Sequence, residues 1–316
     1  TGNYIGTNSA GSGDLGNRWH GVFLDLTLGI TVGGTASGAG NVISGQGAAG
    51  SGGMGVTIGV DASQITLQGN LIGLNAAGTG ALANGGAGVW ILGADNTIGG
   101  TSAAARNVMS GNGTLGVWIN GTAATGNVVA GNYVGTDING SSGIGNTEDG
   151  IQLDTGASGN TIGGTATGAG NLISGNQNTG IAVDDVASTG NQILGNTIGL
   201  SASGLSMPNA HNGINVNLAT ATVIGSTASG GANVIGSKTL HGPGIADPRG
   251  PQGSRHESAA LPGHQLTCRR RFPADAGKPG YPLTEGVEMQ HLRLQLAKPG
   301  SQQLQIVVHE LLGPVR

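Results

Sequence analysis

The sequence predicts an all-β fold, a right-handed parallel β-helix wound as a single-stranded solenoid. Three observations lead there. A phrase of Gly followed by an apolar, a variable and an apolar residue returns at Gly21, Gly55, Gly88, Gly116, Gly150, Gly180 and Gly213, at intervals of 28 to 34 residues. A fixed internal period is the mark of a solenoid. Two further short runs follow in each unit, for example Asn160–Ile162 and Asn171–Ile173, with an apolar residue at every second position, which is the period of a strand. Gly and Asn separate the runs. Three strands of three or four residues cannot build a hairpin sheet. They can form one coil, with like strands stacked about 4.8 Å apart. About seven coils are expected, about 34 Å from end to end.

Each element follows from its residues. The phrase strands turn Val22/Leu24, Val56/Ile58, Val89/Ile91, Val117/Ile119, Ile151/Leu153, Ile181/Val183 and Ile214/Val216 inward. Most are β-branched, as suits a parallel sheet. The bends carry Gly, which accepts positive φ, and Asn, which tolerates it. Asn41, Asn70, Asn107, Asn132, Asn171, Asn196 and Asn233 recur at one bend. Stacked on successive coils, these amides would bond along a ladder. Without such partners each would cost a few kcal/mol. Two coil types alternate. Odd coils carry an insertion between strands two and three (from Gly33, Gly99, Gly163 and Gly225). Even coils carry a longer one after strand three (from Gly73, Gly135 and Gly199). Two ridges of loops should therefore run along different corners.

The phrases at Asn96–Thr101, Gly131–Asp137, Asn160–Thr165 and Asn171–Asn176 resemble those of bacterial secreted or surface proteins with right-handed parallel β-helix repeats, a pectate-lyase-like solenoid. The resemblance covers roughly residues 2 to 237. It implies the fold, and an extracellular or cell-surface location. It does not imply one activity, because this fold hosts lyases, hydrolases, adhesins and inert stalks.

Composition divides the chain into 1–237, the β-helix, and 238–316, an irregular tail. Before Lys238 the only basic residues are Arg18 and Arg106 and the only proline is Pro208. The other ten of the 12 Lys and Arg, nine of the ten prolines and the single Cys all follow. The tail has no period and many breakers. It reads as a linker with a small module, as a cap over the open end of the solenoid, or as an out-of-frame extension, which the abrupt change at one point favours. A hairpin is expected at 290–312, around Lys298-Pro299-Gly300-Ser301. The chain opens at Thr1 inside a repeat and is expected to be a fragment of a longer protein. No run is long enough to span a membrane, a lone Cys excludes an internal disulfide framework, and a body poor in Lys and Arg argues against nucleic acid. The oligomeric state has no sequence signal.

Chemistry is expected on the outer face of the phrase strands. Their third positions are Phe23, Thr57, Trp90, Trp118, Gln152, Ala182 and Asn215, and their fifth positions include Asn120, Asp154, Asp184 and Asn217. Trp90 and Trp118 fall on adjacent coils. Trp90, Trp118, Asn120, Gln152, Asp154, Asp184 and Asn217 make a candidate groove for a polysaccharide or cell-surface glycan, with rings for sugar faces and amides and carboxylates for hydroxyls. The plainer alternative is a ladder of aromatics packed on one another. Catalysis is the runner-up. Asp149, Asp154, Asp184 and Asp185 are the candidates for a hydrolase, which needs an acid and a base beside the scissile bond. Pectinase-type hydrolases carry an NTD, DD, GHG, RIK series. Here Asn146-Thr147-Glu148-Asp149 stands for the first, Asp184-Asp185 matches the second, and the others are missing. A lyase would need a basic residue on this face, where none is expected. No cofactor is expected, Ca²⁺ held by Asp154 and Asp184 being the one exception. His20 and His211 are too far apart to share a metal. The Gly-rich phrases lack a GKS/T ending and are not phosphate loops. A third reading is an ice-binding face. Thr35, Thr101, Thr165 and Thr227 recur, but on alternate coils at a loop corner and without a TxT pair.

Overall fold

A computed structural model of the chain describes residues 1–47 and 52–236. The tail from 238, with the hairpin expected at 290–312, lies outside them. The described residues wind into a three-sided parallel solenoid. The first sheet holds the phrase strands Val22–Leu24, Val56–Ile58, Val89–Ile91, Val117–Asn120, Ile151–Asp154, Ile181–Asp184 and Ile214–Asn217. The second holds Thr31–Gly33, Thr66–Gln68, Thr97–Gly99, Val128–Ala130, Thr161–Gly163, Gln192–Leu194 and Val223–Ile224. The third has eight two-residue strands, from Tyr4–Ile5 to Val234–Ile235. Seven strands in the first sheet bound six complete turns. A short 3₁₀ turn at Ala103–Ala105 is the only helix among the described residues.

Register is strict. Val22 pairs with Val56, Val56 with Val89, Val89 with Val117, Val117 with Ile151, and Ile181 with Ile214. The inward residues therefore stack in files: Ile58, Ile91, Ile119, Leu153 and Val183 from the first sheet, Leu67, Ile98, Val129, Ile162 and Ile193 from the second, and Ile72, Met109, Val134, Ile173 and Ile198 from the third, all fully buried. Each such side chain contributes about 1.5–3 kcal/mol of burial.

All three corners carry an amide ladder. The expected one runs Asn3, Asn41, Asn70, Asn107, Asn132, Asn171, Asn196, Asn233. A second, leading into the first sheet, runs Asn17, Gln46, Asn84, Asn112, Asn146, Asn176, Asn209. A third, leading into the second sheet, runs Asn96, Asn127, Asn160, Asn191. Asn132 shows how a rung works. Its main-chain N–H and Nδ2 both reach Oδ1 of Asn171 on the next coil, at 2.9 and 3.2 Å. Its Nδ2 also reaches the Ile98 carbonyl of the coil before, at 2.8 Å. Its own Oδ1 takes the matching pair from Asn107. Both donors and both lone pairs of a buried amide are thus filled, which removes the desolvation cost of burying it.

The two coil types build the two ridges. Short loops at 34–41, 100–107 and 164–171 lean over the third sheet from one side. Long loops rise on the other and bond to each other across the intervening coil: Ala76 N–H to the Gly11 carbonyl at 2.8 Å, Ile138 to Gly78 at 2.9 Å, Ala202 to Gly140 at 2.8 Å. Glycine is required where the second sheet turns into a short loop. Gly163 has φ of 92°, and a Cβ there would lie 1.9 Å from the Leu194 carbonyl oxygen.

Candidate functional site

The first sheet is the wall that positions the expected site, and its register brings the named residues together in files. Trp118 lies between Trp90 and Gln152. Asn120 pairs with Asp154, and Asp184 with Asn217. Leu153 pairs with Val183, so Asp154 and Asp184 follow on adjacent coils. Two of the third positions are covered. Thr57 is buried under His20, whose Nδ1 lies 3.3 Å from its hydroxyl, and Ala182 is only 3% exposed.

The Trp90 and Trp118 rings are 5.1 Å apart between centroids and 14° from parallel. Their separation follows the strand spacing, so each ring covers a face of the other and the stack turns its edge outward. Trp118 Nε1 donates to Asp154 Oδ1 across to the next coil, at 3.0 Å. Trp90 Nε1 is buried without a partner among the described residues.

Asp154 is a hub. Oδ1 also accepts from Asn120 Nδ2 and from the Thr155 hydroxyl, and Oδ2 accepts from Gln152 Nε2 at 3.0 Å. Four donors fill this carboxylate and lock Trp118, Asn120 and Gln152 in place. Asp185 is also structural. It sits at φ of 70° and accepts from the N–H groups of Ala187, Ser188 and Gly156 and from the Ser188 hydroxyl. Burial pushes its carboxyl up, but those bonds outweigh it and hold it below the usual range.

Asp149 and Asp184 differ. Asp149 is buried and takes one bond, from the Thr179 N–H at 2.7 Å. Burial raises its pKa, the Thr179 bond opposes, the nearby Asp184 and Glu148 charges add, and His211 subtracts. Asp184 is also raised, first by burial, against an Asn217 side-chain bond, with Asp154 and Asp185 adding to it. His211 faces Asn178 through Nδ1 and stands two coils from Glu148, in the same file. His20 stacks on Phe23 at 5.6 Å, and burial lowers its pKa.

No known family model and no curated sequence matches the chain. The first-sheet face therefore rests on its own geometry. Among the described residues no three His, Cys, Asp or Glu side chains gather as a metal site, and no helix is long and apolar enough to cross a membrane. The four expected threonines, Thr35, Thr101, Thr165 and Thr227, are exposed in the short loops after the second sheet, on alternate coils.

Proposed function

We propose that this chain is a rigid scaffold, secreted or displayed on a cell surface, that holds a polysaccharide along its first-sheet face. The observation that carries the reading is the polar file Asn120, Asp154, Asp184, Asn217 beside the Trp90–Trp118 edge, in which the filled Asp154 fixes Asn120 and Trp118 and Asp184 and Asn217 face a ligand. A repeated ligand suits a repeated, rigid file, because its groups can be met without ordering the protein on binding. The ring stack moves the weight of the reading from sugar stacking to hydroxyl recognition. Asp184 and Asn217 are the acceptors, Asp154 holds the wall beside them, and Trp118 supplies an apolar edge. The resemblance of the repeat phrases to bacterial surface β-helix proteins supports an adhesive use.

The test is glycan-array binding of the purified protein beside Asp184→Asn and Trp118→Ala. Binding to a polysaccharide that falls in Asp184→Asn is expected. Failure to bind any polysaccharide, or binding untouched by both changes, would overturn the reading.

A second reading, a polysaccharide hydrolase or lyase, is favoured by the pair Asp149 and Asp184. Burial holds both carboxyls above their usual range, and the Asp184 charge adds to the rise at Asp149, so either could serve as the proton donor that such a reaction needs. Release of reducing ends or unsaturated products from acidic polysaccharides, abolished in both Asp149→Asn and Asp184→Asn, would establish it. No release by the unaltered protein would exclude it.

A further inference from the structure

A recess of about 450 Å³ lies on another side of the molecule, over the third sheet. Its floor is Tyr4, Val42, Leu71 and Val108, the outward members of strands whose inward members are Ile5, Ile43, Ile72 and Met109. The two loop ridges wall it, with Ala76 and Ile138 on the long-loop side and Ala103, Ala104 and Arg106 on the short-loop side. Its size is that of a small-molecule site.

The lining has an uneven chemistry. Among the described residues it contains no Asp or Glu and one charge, Arg106, whereas the first-sheet face carries Glu148, Asp149, Asp154 and Asp184. Arg106 is held, not loose. Its guanidinium lies 3.9 Å above the Tyr133 ring, and its Nε donates to the Gly131 carbonyl at 3.3 Å. No carboxylate among the described residues pairs with it, so its terminal nitrogens keep their donors for a ligand. A fixed guanidinium of this kind binds carboxylates with two parallel bonds. Beyond Arg106, Asn3, Asn41 and the Tyr4 hydroxyl are the only polar side-chain groups that the described residues bring to the lining, and Asn41 is spent in its ladder. A sugar would bring many hydroxyls to few partners. A flat or aliphatic body would instead cover Leu71, Ala76, Ala104 and the half-exposed Tyr4.

We propose that this recess binds an amphipathic monocarboxylate, aryl or short alkyl, with its carboxylate on Arg106 and its apolar body on the Tyr4–Leu71 floor. The site is separate from the first-sheet face and independent of it.

Titration of the full chain with fluorescent 2-naphthoate tests it, beside the neutral 2-naphthalenemethanol and the hydroxylated glucuronate. Saturable naphthoate binding is expected, stronger than that of either analogue. Arg106→Gln should weaken it by about tenfold or more, the usual worth of a charge-assisted bond. Ala104→Phe fills the recess from an exposed position, leaves Arg106 and the core untouched, and should abolish binding with an unchanged circular dichroism spectrum. Asp184→Asn should leave it intact. No saturable binding to the unaltered chain, binding indifferent to both Arg106→Gln and Ala104→Phe, or glucuronate binding tighter than naphthoate would each overturn the proposal.

Discussion

Asn112 donates twice to one atom. Its main-chain N–H at 3.0 Å and its Nδ2 at 2.9 Å both end on Oδ1 of Asn146, one coil further on. Asn146 passes the pattern to Asn176 and turns its remaining donor back to the Met109 carbonyl. Asn146→Ala would strand the Asn112 main-chain N–H in a dry interior, remove one donor each from Asn176 Oδ1 and the Met109 carbonyl, and leave Asn112 Nδ2 with only its long contacts to the Ile72 and Ser110 carbonyls. Each group left unpaired there costs about 1–3 kcal/mol. A loss of about 3 kcal/mol or more in denaturant unfolding is expected.

Asn146→Asp keeps the shape and separates bonding from packing. A carboxylate can still accept from Asn112, but it faces the Asn176 and Met109 oxygens with nothing to donate. Burial and those oxygens would raise its folded-state pKa. Its protonated form is then the one the fold prefers, so the variant should be least stable at neutral pH and recover below about pH 4. Melting temperature against pH checks this, and a variant that weakens further in acid relative to the unaltered chain would contradict it.

Native aspartates should show both signs in the same measurement. Asp149 and Asp184 have raised folded-state pKa values. Their favourable contribution is full below the unfolded value and lost as pH rises through the folded one. Asp137 and Asp185 are lowered; burial opposes this at each, but hydrogen bonds from Ser141 and Ser142, and from Ala187, Ser188 and Gly156, outweigh it. Their contribution is present above the unfolded value and lost as pH falls through the folded one. Asp149→Asn, which keeps an acceptor for Thr179, should therefore be at least as stable as the parent at pH 7 and lose that advantage in acid. Asp185→Asn should be less stable at pH 7, with the gap closing in acid. Thermal melts from about pH 3 to pH 7 would read both slopes.

The fold and the files were legible because both follow from local period: inward pairs two apart, and a repeat that stacks each residue on its counterpart. One amide ladder is legible in the sequence, and the other two are not. Asn84, Asn112, Asn146, Asn176 and Asn209 each stand four residues before a phrase glycine, a spacing that could have exposed the second. It was hidden because these residues end loops of different length, and in the next coil back Gln46 takes the place. At the candidate site the neighbours were legible but their orientation was not. Register predicted Trp90 beside Trp118, yet whether rings cover each other or face solvent depends on side-chain torsions. That Asp154 is filled by four donors depends on residues from two coils. The recess over the third sheet draws on several repeats and on loops that touch across a coil, so no single window of sequence carries it.

The tryptophan pair makes an asymmetric prediction. Trp118 Nε1 has a carboxylate partner and buried Trp90 Nε1 has none among the described residues. Trp90→Phe keeps a ring in the stack and removes an unsatisfied donor, so it should be near neutral. Trp118→Phe keeps the stack but breaks the Asp154 bond, and should cost about 1 kcal/mol more. Two indoles 5.1 Å apart should also couple in the near-ultraviolet circular dichroism spectrum. Either single replacement should remove that couplet, while replacing the distant Trp19 should not.

Two glycines with similar backbone signs should respond differently to alanine. Gly159 has φ of 65° and open space where a Cβ would go. Gly159→Ala carries only the cost of a left-handed residue, about 1–2 kcal/mol. Gly163 has φ of 92°, and its Cβ would fall 1.9 Å from the Leu194 carbonyl oxygen of the next coil. That oxygen cannot move aside without breaking the pairing of Gly163 with Leu194 and opening the spacing that the Asn171–Asn196 rung holds shut. Gly163→Ala should therefore cost clearly more than Gly159→Ala in equilibrium unfolding. Hydrogen exchange should quicken at the strands around Thr161–Gly163 and Gln192–Leu194, because a solenoid transmits damage mainly to its nearest coils. Equal losses at the two sites would show that close stacking at this corner does not limit the fold.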